Sequence, residues 1–212
     1  FMTTVRGADV GNAAFPFGAV REIDIAGVQV RALRVSYVGE LGWELHVPTE
    51  HVLAVYDLIW AAGEPLGIAD YGLYAMDSLR LEKCYRAWKG DLTTEYTPYM
   101  ASLDRFVKLD KPGGFIGREA LLKQKALPVL PKRFVCLALE DNSEKAPMIY
   151  HEEPIYRNGT RVGLITSANY GHTLGAAIGM GYVACEQGVT PEWLQSGRWQ
   201  IEVAGARHGA RV

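Results

Sequence analysis

The residues with the clearest chemical potential are Glu44 and Arg80, a carboxylate and a guanidinium in neighbouring segments. Glu44 lies in a strand-like stretch, residues 36–45, in which alternation puts Trp43 and Leu45 on one face and Glu44 on the other. A carboxylate opposite packed apolar side chains is either a solvated surface group or a fixed acceptor in a cleft. In the second case Arg80 supplies a complementary donor to the same ligand.

The elements that position Glu44 are predicted to be β-strands. Residues 28–35 alternate apolar and polar side chains, and with residues 20–25 they predict a hairpin whose turn is Ala26-Gly27. A further strand is predicted over residues 37–47, after a turn at Gly39.

The elements around Arg80 are predicted to be helical. Thr49 reads as an N-cap for a one-sided helix over residues 51–62, which Gly63 and Pro65 end. A second helix is predicted from Asp70 to about Lys83, with Asp77 and Arg80 on one face. It is expected to bury the apolar residues Leu73, Met76, Leu79 and Tyr74.

The second half of the chain changes from mixed to β character. Residues 85–98 predict a loop, 106–109 a short strand and 117–125 an amphipathic helix, and the Pro128 to Pro131 segment predicts an extended linker. Beyond it, Asn158-Gly159 is a strong hairpin turn. The strands are predicted at residues 134–139, 160–166, 178–184 and 199–203.

Composition excludes several classes of protein. The chain has 212 residues, 49% hydrophobic and 22% charged, with a net charge of −2, and no basic run interleaved with aromatic residues predicts a nucleic-acid groove. No apolar stretch approaches the roughly 20 residues of a membrane span. Three cysteines without a Cys-x-x-Cys pair argue against a disulfide framework and a zinc site, and predict a reducing compartment. The five histidines form no ligand-like cluster.

Four sequence blocks, in order, resemble the folate-binding region of the glycine-cleavage T-protein (aminomethyltransferase) superfamily, and most closely the carboxyl-terminal part of the FAD-dependent dimethylglycine and sarcosine dehydrogenases. The end of the chain, WQIEVAG (199–205) and ARV (210–212), resembles the same enzymes. The four blocks are RVSYVGELGWE (34–44), DSLRLEK (77–83), RFVKLDK (105–111) and FIGREAL (115–121).

This resemblance implies binding of tetrahydrofolate and transfer of a one-carbon unit to it from a methylated amine. It implies that Glu44 accepts the two adjacent donors of the pterin edge, the 2-amino group and N3–H. It places Arg80 near the pterin carbonyl, Tyr37 along the same cleft and Trp88 against the folate. Taken without the resemblance, Glu44 reads as a solvated residue, Arg80 as a partner of its own helix, and both aromatic residues as core.

Some family features are missing or altered. The acid that engages the amine donor is expected before residue 1, and FAD is expected only in an absent upstream domain, because the chain has no dinucleotide-binding glycine fingerprint. The chain begins with Phe1, which suggests a piece of a longer protein. Relatives carry an acid and a glycine where this chain has Met100 and Ser102. Cys84 follows a lysine as in a related cysteine signature, but the rest of that signature is absent, so a small buried cysteine is expected.

These observations predict an α+β fold: an aminomethyltransferase-like folate-binding region, incomplete at its N-terminus, over residues 1–127, and a small β-barrel or jelly-roll-like domain over residues 132–212. The expected location is cytoplasmic, or the mitochondrial matrix in a eukaryote. Two other functions stay open, a stand-alone aminomethyltransferase and a non-catalytic folate-binding module, beside a β-rich interaction domain with no ligand. A reading frame of roughly 350 to 400 residues would favour the aminomethyltransferase, and one of about 800 the dehydrogenase.

Overall fold

The computed structural model describes residues 8–143 and 145–212. The chain divides into two compact units, one ending at Met76 and one running from Asp77 to Val212. The fold is α+β, with mixed helix and sheet followed by a closed barrel, as predicted.

The first unit contains a three-stranded antiparallel sheet in the order β1-β2-β3. Its strands are Val20–Ile25, Val28–Leu33 and Glu44–His46. The predicted hairpin is confirmed, because Ile25 pairs with Val28 across a turn in which Ala26 and Gly27 have φ of 53° and 88°. Two successive positive φ values match the right-handed twist of the flanking strands.

The strand predicted over residues 37–47 is wrong for most of its length, since only Glu44–His46 is a strand. The chain before it bends: Ser36 Oγ accepts the Val38 N–H at 3.3 Å, and Gly39 has a φ of 74°. Gly42 lies so close to the backbone that an added Cβ would stand 2.7 Å from the Val35 carbonyl oxygen. These local contacts compete with strand pairing.

A helix packs against this sheet. α1 is Val52–Gly63, and its Val55 joins the buried cluster of the sheet. The prediction that Thr49 is the N-cap of this helix is wrong. A 3₁₀ turn at Thr49–His51 precedes the helix, and His51 occupies the cap position without a side-chain hydrogen bond. The buried cluster is formed by Phe15, Ile23, Ile25, Val30, Ala32 and Val55.

α2 is Leu73–Glu82, shorter than the predicted helix. The expectation that Leu73 and Tyr74 are buried is wrong, because they are 77% and 91% exposed. The buried face instead comprises Ser78, Arg80 and Leu81. A charged residue can occupy such a face because its partners satisfy its hydrogen bonds.

The segment between α2 and the barrel is mainly turns, with α3 at Arg118–Lys125 as predicted. The strand predicted at residues 106–109 is wrong. A 3₁₀ turn at Asp104–Phe106 takes its place, and the Val107 N–H is bonded locally to the Asp104 carbonyl at 3.1 Å. The segment predicted as an extended linker, Pro128 to Pro131, is mostly bends and is bonded to the barrel unit: the Leu130 and Pro131 carbonyls accept backbone hydrogen bonds of 2.8 Å from Val189 and Cys185.

The second unit contains a closed barrel of six antiparallel strands: β4 (Lys132–Leu139), β5 (Pro154–Arg157), β6 (Thr160–Gly171), β7 (Ala176–Ala184), β8 (Trp199–Val203) and β9 (Ala206–Arg211). Their order around the barrel is β4-β7-β6-β5-β8-β9. All four predicted strands are present, while β5, β9 and the short helix α4, Pro191–Gln195, were not predicted. Asn158 and Gly159, with φ of 51° and 82°, form the predicted turn.

Alternation along β4 explains how the barrel meets the chain before it. Val135, Leu137 and Leu139 point into the barrel core, whereas Phe134 and Cys136 lie on the outer face in a second cluster with Leu81 and Tyr182. Among the described residues, no helix has the length and apolar character needed to cross a membrane.

Candidate functional site

Glu44 begins β3 and projects away from the core of the first unit. Its neighbours Trp43 and Leu45 pack against the buried cluster, as the alternation predicted. The Glu44 side chain is 59% exposed, and its carboxylate lies 3.6 Å from His46 Nε2 on the same face. A carboxylate in this setting retains lone pairs for an external donor.

The residue before Glu44 is fixed by aromatic and cationic contacts. The Trp43 ring meets the Phe15 ring edge-on, with centroids 4.6 Å apart. The Arg34 guanidinium lies 4.8 Å from the Trp43 ring and donates to Asn12 Oδ1 at 2.8 Å. Because Phe15 and Arg34 both contact the Trp43 ring, they fix the conformation of the backbone from which the Glu44 side chain projects. Tyr37 precedes it in the bent segment and is 37% exposed.

Arg80 lies in the second unit, and its guanidinium is bonded within the protein. Nε and Nη2 lie 2.8 and 2.6 Å from Asp77 Oδ1, and Nη1 donates to the Tyr85 carbonyl and to Asp91 Oδ2, both at 2.9 Å. The side chain is 4% exposed. The prediction that Asp77 shares a helix face with Arg80 is confirmed, and the arginine also ties the helix to the following loop.

Asp91 is the centre of this network and was not singled out from the sequence. It is fully buried, and its Oδ2 accepts hydrogen bonds from the Ala87 N–H at 2.7 Å and from Ser167 Oγ at 2.9 Å, in addition to Arg80. Thr166 Oγ1 donates to Oδ1. Buried carboxylates require such partners. The only sequence signal was a Gly90-Asp91 pair in a segment without periodicity.

The barrel completes the network around Asp91. Tyr182 on β7 donates its hydroxyl proton to the Asp91 carbonyl oxygen at 2.9 Å. Burial, with smaller contributions from Tyr96 and Asp91, raises the pKa of Tyr182, so the hydroxyl keeps its proton and acts as a donor. The Tyr96 and Tyr182 rings stack with centroids 3.6 Å apart. The loop from Tyr85 to Asp91 is thus attached to the barrel wall.

Trp88 lies in this loop and is 75% exposed. It forms an isolated bridge with Leu92, and Lys89 between them has a φ of 67°. The loop therefore exposes the Trp88 ring to solvent, while Arg80 and Asp91 fix the start of the loop by hydrogen bonds. Such a surface can stack on a planar ligand.

The two departures from the family pattern have structural roles. Ser102 keeps a positive φ of 55°, the conformation that a glycine adopts most easily, and its hydroxyl donates to the Phe134 carbonyl at 3.2 Å. Met100 accepts the Phe134 N–H through its backbone carbonyl at 2.8 Å. Both residues thereby fasten the loop to the start of β4.

The predicted site residues are thus divided, with Tyr37 and Glu44 in the first unit and Arg80 and Trp88 in the second. The structure describes each pair within its own unit, and a shared folate pocket stays a prediction. Within residues 8–143 and 145–212, no group of three histidine, cysteine, aspartate or glutamate residues could hold a metal ion.

Two family models match the chain in consecutive order. The GCVT N-terminal domain matches residues 1–111, and the glycine cleavage T-protein C-terminal barrel domain matches residues 132–212. The chain belongs to the glycine-cleavage T-protein family.

Curated relatives are similar over nearly the whole chain. Human mitochondrial sarcosine dehydrogenase is 41% identical over 97% of this chain, which covers 22% of that protein. The mouse mitochondrial pyruvate dehydrogenase phosphatase regulatory subunit is 37% identical over 86% of this chain and is also covered to 22%. The chain therefore spans about a fifth of the length of these relatives.

A solved structure has a similar fold. The glycine cleavage system aminomethyltransferase T from Bartonella henselae matches 95% of this chain with a TM-score of 0.76 and 25% identity. This chain covers 52% of that structure.

Proposed function

We propose that this chain is the tetrahydrofolate-binding, carboxyl-terminal part of a dimethylglycine or sarcosine dehydrogenase-like enzyme. Its similarity to sarcosine dehydrogenase over 97% of the chain carries the proposal. FAD bound upstream would supply the oxidation of the N-methyl group to an iminium. For a eukaryotic source we propose the mitochondrial matrix, and for a bacterial source the cytoplasm.

In this scheme the chain positions the one-carbon acceptor. N5 of tetrahydrofolate attacks the iminium carbon, N10 then replaces the amine on that carbon and gives up its proton to the departing amine, and methylenetetrahydrofolate forms. Holding two reactants together and excluding water from a reactive intermediate account for most of the protein's contribution. The amine donor and the flavin belong to the part of the enzyme expected upstream.

Glu44 fits the role of pterin acceptor because its carboxylate is accessible and held on a fixed backbone. The pterin edge offers two parallel N–H donors, and a carboxylate accepts both with correct spacing. Tyr37 and Trp88 expose enough ring surface to pack against the ligand. Asp77, Asp91 and the Tyr85 carbonyl engage most of the N–H donors of Arg80. These bonds support a role for Arg80 in positioning the loop that carries Trp88, beside its predicted contact with the pterin carbonyl.

Calorimetry with tetrahydrofolate on the intact protein tests the Glu44 assignment. Glu44→Gln retains the shape but replaces one charged acceptor by an amide that cannot accept both donors. A charge-assisted bond contributes about 1.5–3 kcal/mol, so we expect Kd to rise about 10- to 150-fold. Glu50→Gln, another exposed glutamate of the first unit, is the matched control and should leave Kd unchanged. Binding that is equally tight in Glu44→Gln would remove this residue from the site.

A non-catalytic folate-binding module is the second candidate, and the 37% identity to a phosphatase regulatory subunit favours it. This function predicts folate binding without turnover. Assays of formaldehyde release and methylenetetrahydrofolate formation with methylated glycines distinguish the two, since sustained turnover would exclude the module.

A stand-alone aminomethyltransferase is the third candidate, and the fold shared with the Bartonella henselae enzyme is compatible with it. Its donor would be an aminomethyl group on a carrier protein, and the length of the complete reading frame separates it from a dehydrogenase.

A further inference from the structure

Cys84 occupies a position where glycine is the usual residue. It follows α2 with a φ of 53°, its N–H bonds to the Leu81 carbonyl at 2.9 Å, and the Tyr85 N–H bonds to the Arg80 carbonyl at 2.9 Å. This pattern ends a helix with a left-handed residue, for which a side chain is unfavourable. The Cys84 side chain is therefore attached to a backbone conformation that disfavours residues other than glycine.

The thiol that this position presents meets a second cysteine from the barrel. Cys136 lies on the outer face of β4, opposite Met180 on β7, and both cysteines pack against the cluster of Leu81, Phe134 and Tyr182. The two side chains share a hydrogen bond, and both thiols are free and half-buried. The two cysteines, 52 residues apart in sequence, thus belong to one cluster and interact through their thiols.

A guanidinium lies beside the pair. Arg86 Nη1 donates to the Cys84 carbonyl at 2.8 Å, and its Cζ lies 4.8 Å from the Phe134 ring. The hydrogen bond with Cys136 lowers the pKa of the Cys84 thiol to about 7, burial opposes this, and the Arg86 charge lowers it further. The same hydrogen bond and burial raise the pKa of Cys136. Cys84, with the Arg86 guanidinium bonded to its own carbonyl, is thus the nucleophile of the pair.

We infer that Cys84 and Cys136 form a reversible dithiol–disulfide site that exchanges with small disulfides such as glutathione disulfide. The Cys84 thiolate attacks one sulfur of glutathione disulfide, which forms a mixed disulfide and releases one glutathione thiolate. Cys136 then loses its proton and attacks the Cys84 sulfur, which releases the second glutathione. Two protein thiols are oxidised, and one glutathione disulfide is reduced to two thiols.

The bond would lock the loop that carries Trp88 to the barrel. Cys84 stands at the start of that loop, and Cys136 stands on the strand that faces it. In the oxidised form the disulfide adds a covalent link between this loop and β4, beside the Asp91 network and the contact of Arg86 with Phe134 that hold the loop in the reduced form. The inference does not depend on folate binding.

Mass spectrometry of the intact protein after equilibration in glutathione buffers tests the site. We expect oxidising buffers to remove Cys84 and Cys136 together from the alkylatable thiols and to link their peptides, while reducing buffers restore both. Cys136→Ser should stop at the first step and accumulate glutathione on Cys84. Cys84→Ser should form neither product, and Cys185→Ser, the matched control, should behave as wild type.

Cys84→Gly is a second variant that tests whether loss of the disulfide in Cys84→Ser reflects misfolding. Because glycine adopts the left-handed conformation easily, this variant should fold normally and lack the disulfide. Absence of the linked peptides at every glutathione ratio in wild type would overturn the inference. So would a mixed disulfide that persists on Cys84 when Cys136 is present, or coupling to Cys185 at equal yield.

Discussion

Replacement of Asp91 by alanine should destabilise the barrel unit more than any surface change. The carboxylate is fully buried and accepts from Arg80, Ala87, Ser167 and Thr166. Removal of one member of a buried ion pair costs about 3–5 kcal/mol. In the alanine variant Arg80 keeps its bonds to Asp77, so its buried positive charge still has a partner. We therefore expect the free energy of unfolding to fall by about 4 kcal/mol, within the same range.

Asp91→Asn separates charge from hydrogen bonding. Its amide oxygen can still accept from Arg80, Ala87 and Ser167, and the Thr166 hydroxyl can rotate to accept from the amide nitrogen. What is lost is charge assistance, so the cost should be about half that of the alanine variant, about 2 kcal/mol.

Urea unfolding and thermal melting measure both changes. For a chain of this length 1 kcal/mol corresponds to about 2–4 °C in Tm, so Asp91→Ala should melt about 8–16 °C below wild type. Glu119→Ala, which removes an exposed partner of Arg118 at 3.0 Å, is the control and should cost less than about 1 kcal/mol. An alanine variant within about 1 kcal/mol of wild type, at an unchanged urea m-value, would refute the assignment of Asp91 as the centre of the network.

Two further predictions concern the barrel and the thiol pair. Gly181→Ala should cost about 3 kcal/mol or more in urea unfolding, because its Cβ would stand 2.0 Å from the Leu164 carbonyl oxygen and the two strands would have to separate; Gly72→Ala, with open space around it, should be neutral. The rate of Cys84 alkylation should fall as the pH decreases through about 7, below the 8.5 of an ordinary thiol, because the neighbouring Cys136 and Arg86 favour the thiolate; a midpoint near 8.5 would contradict this contact.

The elements predicted well were those whose signal is local. The hairpin around Ala26-Gly27 and the turn at Asn158-Gly159 follow from residues that tolerate positive φ, flanked by apolar residues that alternate. The face of Glu44 followed from the same alternation, since a period of two leaves no other choice once Trp43 and Leu45 are buried. Predictions failed at residues 37–43 and 106–109, where side-chain and turn hydrogen bonds replaced strand pairing.

The sequence alone thus determined the family to which the chain belongs, four strands of the barrel, and the face of β3 on which Glu44 lies. Only the tertiary structure decided the role of Asp91, because its partners Thr166 and Ser167 are 75 and 76 positions away and no local pattern links them. The same is true of Cys84 and Cys136, which only the closing of the barrel against the loop after α2 brings together. Burial makes the Asp91 contacts obligatory, since a carboxylate removed from water must be hydrogen-bonded or paired, and its partners Thr166 and Ser167 come from a distant part of the chain.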